Sequence, residues 1–291
     1  MTTELAFIDA LRGIATHPGA RGLDDDCAVI EFGGEALVLT HDAMAEGVHF
    51  LREQDPADVA WKLVASNMSD LAAKGAEPVG VLLGYAFGRD DARFLAGLRE
   101  ALEHYNAPLL GGDTIAAPGG QVLGLTAIGR ATFRPVPSRA GACIGDDLWI
   151  TGPVGAAMMG LEALRSGSGD DSAAYRRPQA LLAQGQALAP HVTAMMDVSD
   201  GLLLDATRMA RASALSFAID SAAVPIAAPE DRRADALRWG DDYQLLYTLP
   251  AGAVPPVPSH RIGTARASGS APVILDGIAL TDQDRLGYQH G

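Results

Sequence analysis

The sequence of 291 residues predicts a mixed α/β fold in two halves. Three observations predict it. Segments with helical spacing alternate with short apolar runs of strand character. A Gly-Gly hairpin signal stands beside longer strand–helix–strand connections, so hairpins and crossovers are both expected. Midway, residues 133–145 collect Pro135, Pro137, Gly141 and Gly145, the composition of a linker. That linker divides the chain into residues 1–135 and 136–291.

The elements follow in order. Residues 5–14 carry Leu5, Ile8 and Leu11 at helical spacing, after Thr3 as N-cap. Residues 27–32 and 36–40 read as strands joined by Gly33-Gly34. Pro56 opens a long helix over 57–74, which Gly75 stops. Residues 79–87 form a buried strand, 90–105 a helix, 108–110 a short extended piece ending at Gly111-Gly112, and 121–131 another strand. Beyond the linker, 147–151 is a strand and 155–165 a helix. The Ser-Gly-Ser-Gly-Asp-Asp run of 166–171 is a surface loop. Helices over 178–188 and 202–212 flank Met195-Met196 and the Asp197–Gly201 stretch. Strands follow at 215–220 and 243–249, with weaker ones at 260–265 and 272–275.

Composition narrows the function. With 48% of residues apolar, disorder is excluded as the default. Acidic residues outnumber basic ones by 36 to 22, a net charge of −14, which repels nucleic acid and anionic membranes. An acidic protein that handles phosphates needs metal ions between the two negative partners. The two cysteines, Cys27 and Cys143, are too few for a disulfide framework or a Cys-only zinc site, so a cytoplasmic setting is expected. The first fifteen residues lack the pattern of a signal peptide, and no apolar run reaches membrane-spanning length.

Five aspartate motifs stand out: Asp24-Asp25-Asp26, Thr40-His41-Asp42, Ser69-Asp70, Gly112-Asp113-Thr114 and Asp197-Val198-Ser199-Asp200. A lone Asp at such a place is ordinarily a turn or cap residue. Three details argue for more. Three adjacent carboxylates repel, and a cation is the simplest remedy. Asp70 sits within an apolar helix, sharing a face with Asn67 and Lys74, where propensity does not favour it. Gly111-Gly112-Asp113 combines backbone that approaches a phosphate closely with a carboxylate that can hold that phosphate's metal. Single carboxylates from several elements suit magnesium. The sequence has neither a P-loop nor a Gly-x-Gly-x-x-Gly fingerprint.

Eight stretches in order carry a resemblance: 22–29 (GLDDDCAV), 40–50 (THDAMAEGVHF), 62–78 (KLVASNMSDLAAKGAEP), 111–114 (GGDT), 138–141 (SRAG), 197–202 (DVSDGL), 240–246 (GDDYQLL) and 287–290 (GYQH). In these the chain resembles the thiamine-monophosphate kinases of the aminoimidazole ribonucleotide synthetase-like superfamily. The resemblance implies a two-domain fold. Its N-terminal domain binds ATP and magnesium and dimerises through its sheet, its C-terminal domain completes the site, and the active-site cleft lies between them. It implies magnesium ligands at Asp26, Asp42, Asp70, Asp113 and Asp197, with Thr40 and His41 beside them and Asp200 as a further position. It implies nucleotide contacts at Gly112, Asp113, Arg139 and Ser199, and substrate contacts at His49, Asp241 and Tyr288. ATP and thiamine monophosphate are the implied partners, in a homodimer that binds neither nucleic acid nor membrane.

The implied reaction moves a phosphoryl group from ATP onto the phosphate of thiamine monophosphate. That nucleophile is already ionised, so no catalytic general base is expected, and charge neutralisation carries the rate. The sequence departs from the family pattern at Asp24 (usually Gly), His41 (usually Thr), Asp241 (usually Glu), Gln289 and Gly291. The rivals are another ATP-using enzyme of the superfamily with a different acceptor, and a non-catalytic nucleotide-binding homologue.

Overall fold

The computed structural model describes residues 4–281 and 283–289. Thr3, expected to cap the first helix, lies outside them, as do His290 and Gly291. The first half contains α1 (Glu4–Arg12), β1 (Ala28–Phe32), β2 (Glu35–Ala45), α2 (Pro56–Ala73), β3 (Ala76–Ala86), α3 (Asp91–His104), β4 (Leu109–Ile115) and β5 (Val122–Ala131). The second contains β6 (Asp147–Ile150), α4 (Ala156–Ser166), α5 (Ala173–Arg176), α6 (Leu182–Leu188), β7 (Ala194–Asp197), α7 (Leu202–Ala212), β8 (Leu215–Ile219), α8 (Arg233–Ala236), β9 (Leu245–Leu249), β10 (His260–Ala267), β11 (Val273–Leu275) and β12 (Ile278–Leu280). Among the described residues no helix is long and apolar enough to cross a membrane.

The first sheet has the order β1-β2-β5-β3-β4, antiparallel except for the parallel β3–β4 pair. The second has the order β12-β11-β8-β10-β6-β9-β7. Gly33 and Gly34 turn β1 into β2 with φ of 59° and 89°, as an Asn-Gly-like tight hairpin requires.

Two strands run further than the sequence suggests. β2 continues past Thr40 to Ala45 because β5 pairs with it along that whole length, from Leu37↔Arg130 to Ala45↔Val122. Asp42 therefore lies within a strand. β4 takes in Gly111, Gly112 and Asp113, whose poor strand propensity is overridden by pairing with β3. Gly112 has to be glycine there: a Cβ would stand 2.0 Å from the Leu83 carbonyl oxygen. The other corrections are small. Tyr243 precedes β9 instead of starting it, α6 begins only at Leu182, and α5 and β12 are additions.

Helix α2 organises the molecule. Asp55 caps it, accepting from the Ala57 amide at 2.9 Å, and Pro56 occupies its first turn. Its Leu63, Val64, Met68 and Leu71 pack with Val38, Phe94 and Leu125 of the first half. Its Ala72 and Ala73 pack with Leu188, Met195, Leu245 and Tyr247 of the second. Every residue of α2 is buried except Pro56 and Asp70. Burying one such Leu contributes about 2 kcal/mol. A helix buried nearly all round is what a chain uses between two layers.

Candidate active site

Polar residues of α2 recur at Lys62, Ser66, Asp70 and Lys74, an interval of four that lines one side of a helix. This stripe meets the loops of both halves. At Asp70, one carboxylate oxygen from each of Asp26, Asp70 and Asp197 lies within 4.8 Å of the others. Asp26 precedes β1, Asp70 projects from α2, and Asp197 ends β7. Three elements far apart in sequence thus deliver three carboxylates to one place.

Hydroxyls and cations surround them. Thr40 donates its hydroxyl to Asp70 Oδ2. Ser69 donates to Asp197 Oδ2 at 2.6 Å. Lys74 Nζ lies 2.6 Å from Asp26 Oδ2 and also binds Asp25. Arg139 grips the other Asp26 oxygen, while its buried Nε has no hydrogen-bond partner among the described residues. Arg21 holds Asp25. Burial alone would raise the Asp25 carboxyl, but Lys74 and then Arg21 drive it well below the usual range.

The other carboxyls move the opposite way. Desolvation first, then the charges of Asp42, Asp197 and Asp26, pushes Asp70 well above the usual carboxylate value. Burial, then Asp26, lifts Asp197 to about 8. Asp42 is raised by burial and by Asp200 and Asp26, with Ser66 and His41 pulling it back. The Asp42 amide donates to Asn67 Oδ1 at 3.3 Å, tying β2 to α2. Crowded carboxyls that favour the proton are a site short of positive charge. The donor set is all oxygen, the set that a hard divalent cation such as magnesium takes.

The remaining expected residues fall into three places. Asp200 borders the cluster, clamped by Arg208, which also reaches Asp205 at 2.9 Å. Ser199 accepts the Asp241 amide on its carbonyl at 2.8 Å. His41 points to the opposite face of β2 from Asp42, as strand alternation demands, and its Nδ1 meets Thr126 Oγ1 at 2.9 Å. Gly112 and Asp113 lie on the exposed edge strand β4, where Asp113 Oδ1 accepts the Thr114 amide at 2.9 Å. They do not join the carboxylate cluster within this chain.

His49, Asp241 and Tyr288 gather toward the other end of the stripe. His49 Nδ1 accepts the Ala45 amide at 3.0 Å, which leaves the proton of the neutral ring on Nε2. Asp241 pairs with Lys62 at 2.8 Å. The Tyr288 amide donates to the Asp200 carbonyl at 2.9 Å, docking Tyr288 beside the site. Sequence reasoning singled out Ser69 only through its motif with Asp70, and overlooked Lys62, Tyr175 and Tyr243 as members of the site. The four-residue recurrence of polar side chains in an apolar helix was the available signal for Lys62.

Known proteins resemble this chain along nearly its whole length. Residues 24–131 match the family model "AIR synthase related protein, N-terminal domain", and residues 144–255 match its C-terminal counterpart. The thiamine-monophosphate kinase of Caulobacter vibrioides is 34% identical, over 94% of this chain and 86% of that protein. A solved structure described as AaThiL complexed with AMPPCP and TMP superposes with a TM-score of 0.88 at 28% identity, covering 99% of this chain and 97% of that one. The crystal structure of the thiamine-monophosphate kinase from Stenotrophomonas maltophilia gives 0.76 at 29% identity, covering 95% and 96%. The chain therefore belongs to the AIR synthase related family and, within it, to the thiamine-monophosphate kinases.

Proposed function

We infer that this protein transfers the γ-phosphoryl group of ATP to the phosphate of thiamine monophosphate, giving thiamine diphosphate and ADP. The observation that carries the reading is the convergence of Asp26, Asp70 and Asp197 on one point. In the reaction an acceptor phosphate oxygen forms a bond to the γ-phosphorus. The bond from that phosphorus to the β–γ bridging oxygen breaks, and ADP leaves.

The acceptor oxygen is ionised near neutral pH, so the protein has no proton to remove. Its task is to bring two anions into line. Asp26, Asp70 and Asp197, with Thr40, Asp42 and Asp200 around them, would hold magnesium. Bound there, magnesium supplies charge neutralisation of the phosphates. Arg139 lies against Asp26 with an uncommitted Nε, and its planar fork suits a phosphate. Ser199 borders the same loop as Asp197. His49, Asp241 and Tyr288 would receive the acceptor.

We further propose a homodimer through the first sheet. All seven residues of β4 are exposed, and the exposed set there includes Val79, Leu82, Leu109, Leu110, Ile115 and Val122. An apolar sheet edge of this kind calls for a covering partner. Pairing there would also bring cover to Gly112 and Asp113. The cytoplasm, where ATP is available, is the proposed location.

The test is product formation by purified protein with ATP and magnesium. Thiamine diphosphate and ADP should appear in equal amounts only when thiamine monophosphate is present. ADP release that ignores thiamine monophosphate but responds to another acceptor would overturn the reading.

A further inference from the structure

Lys62 has no role in the reaction as described so far, yet its surroundings are elaborate. Its side chain is 2% exposed. Its ammonium donates to Asp241 Oδ2 at 2.8 Å and to the His49 carbonyl at 3.0 Å. It also stands 3.9 Å from the centroid of the Tyr175 ring. The Tyr175 hydroxyl donates to the same His49 carbonyl at 3.0 Å. The Tyr243 hydroxyl donates to Asp241 Oδ1 at 3.0 Å. Two oxygen acceptors and one ring face thus satisfy an ammonium with three donors.

The backbone is shaped to deliver this contact. Asp241 and Tyr243 have φ of 66° and 51°, a left-handed conformation that non-glycine residues seldom adopt. Their amides donate to the carbonyls of Ser199 and Val198, each at 2.8 Å. The turn that carries Asp241 is therefore fastened to the loop that carries Asp197 and Asp200. Lys62 fastens the same carboxylate to α2. Asp241 still shows 28% of its side chain to solvent, and each of its oxygens keeps a lone pair beyond the bonds to Lys62 and Tyr243.

Along α2, Lys62 lies eight residues before Asp70, roughly 12 Å at the helical rise. The carboxylate cluster and the Lys62–Asp241 pair therefore mark two ends of one helix face. A phosphate ester whose ring lies far from its phosphorus suits that separation. The Lys62–Asp241 pair is close to neutral and flanked by aromatic rings, unlike the acidic end.

We propose that Lys62 is a positioning residue for the acceptor. Its ammonium fixes the Asp241 carboxylate, and the fixed carboxylate, beside Tyr175, receives the acceptor's ring system rather than its phosphate. A ring amino group or a cationic ring is the chemistry that such a carboxylate attracts. The assignment rests on the kinase reading above and adds to it which residue sets the acceptor's hold.

The experiment compares Lys62→Met, Lys62→Arg, Asp241→Asn and the double variant Lys62→Met/Asp241→Asn in the full chain. Thiamine diphosphate formation is followed while thiamine monophosphate and ATP are varied separately. Lys62→Met should raise the KM for thiamine monophosphate about tenfold, with the KM for ATP changed less than twofold and kcat less than threefold. Lys62→Arg should restore part of the loss. The double variant should be no worse than the poorer single one, since both remove the same interaction. An unchanged acceptor KM, equal rises in both KM values, or additive losses would overturn the assignment. Should Lys62→Met lose its cooperative melt, Asp241→Asn carries the same comparison, because its side chain reaches solvent. An unaltered protein that makes no thiamine diphosphate overturns the kinase reading and this assignment with it. An active unaltered protein with an unaffected Lys62→Met variant overturns the assignment alone.

Discussion

The two ends of the α2 stripe handle charge in opposite ways. Around Asp70, the carboxyls of Asp26, Asp42 and Asp197 crowd together, and the nearby cations, Lys74 and Arg139, are both committed to Asp26. Around Lys62, one ammonium meets one carboxylate, one carbonyl and one ring. The first end carries more carboxyls than cations, and a proton or an added cation would relieve it. The second is balanced within the chain, its ammonium held by a carboxylate, a carbonyl and a ring face. One helix carries both environments because it spaces them about two turns apart.

The sharpest way to break this contrast is Asp70→Asn. Turnover should fall by about 10²-fold or more, the scale of losing one electrostatic stabiliser. In magnesium-free buffer the same variant should melt higher, because one of the crowded charges is gone. Initial rates and thermal melts read the two effects. Loss of both activity and stability would make Asp70 a structural residue instead.

Next in size is the pH dependence of the metal-free protein. Asp197 holds its proton up to about 8 when folded, against an ordinary value of 3.8. The folded state thus binds more protons than the unfolded state between those values, and stability should fall as pH rises from about 4 to about 8. Magnesium, which prefers the ionised carboxylates, should raise the melting temperature more at pH 8 than at pH 6. Equal shifts at both pH values would separate the cation from these carboxyls.

The smallest expected effect sharpens the balanced end. Tyr175→Phe removes the hydroxyl from the His49 carbonyl but keeps the ring over Lys62. One neutral hydrogen bond is worth about 1 kcal/mol, so the acceptor KM should rise about fivefold or less. Steady-state kinetics with varied thiamine monophosphate measures it. A loss as large as that of Lys62→Met would place the main contact on the hydroxyl.

The same contrast explains what could be read from the sequence. Asp26, Asp70 and Asp197 were legible because each is a carboxylate in a motif whose neighbours do not explain it. The length and limits of α2 were legible because Pro56 starts it and Gly75 stops it. β4 was not, because Gly-Gly-Asp has little strand preference and its pairing is set by β3, thirty residues earlier. The Lys62–Asp241 pair was not, because its partners stand 179 residues apart and each looks ordinary alone. Tyr175 came from a single-turn helix behind a flexible loop, too short to show any period. His41 follows Thr40 and precedes Asp42, yet alternation along β2 turns it away from the cluster.

The placement of α2 between the sheets has a consequence for how this chain can be divided. A fragment ending before residue 136 would leave Ala72, Ala73 and the inward hydroxyl of Ser69 facing water, without Met195, Leu245, Tyr247 and Asp197 to cover them. A fragment beginning there would lose the wall against which β7 and α6 are laid. Each half has a core of its own, but a third cluster built on Ala72 and Ala73 binds the two together. Heating should release them in one cooperative step, and neither should be recovered as an autonomous folding unit.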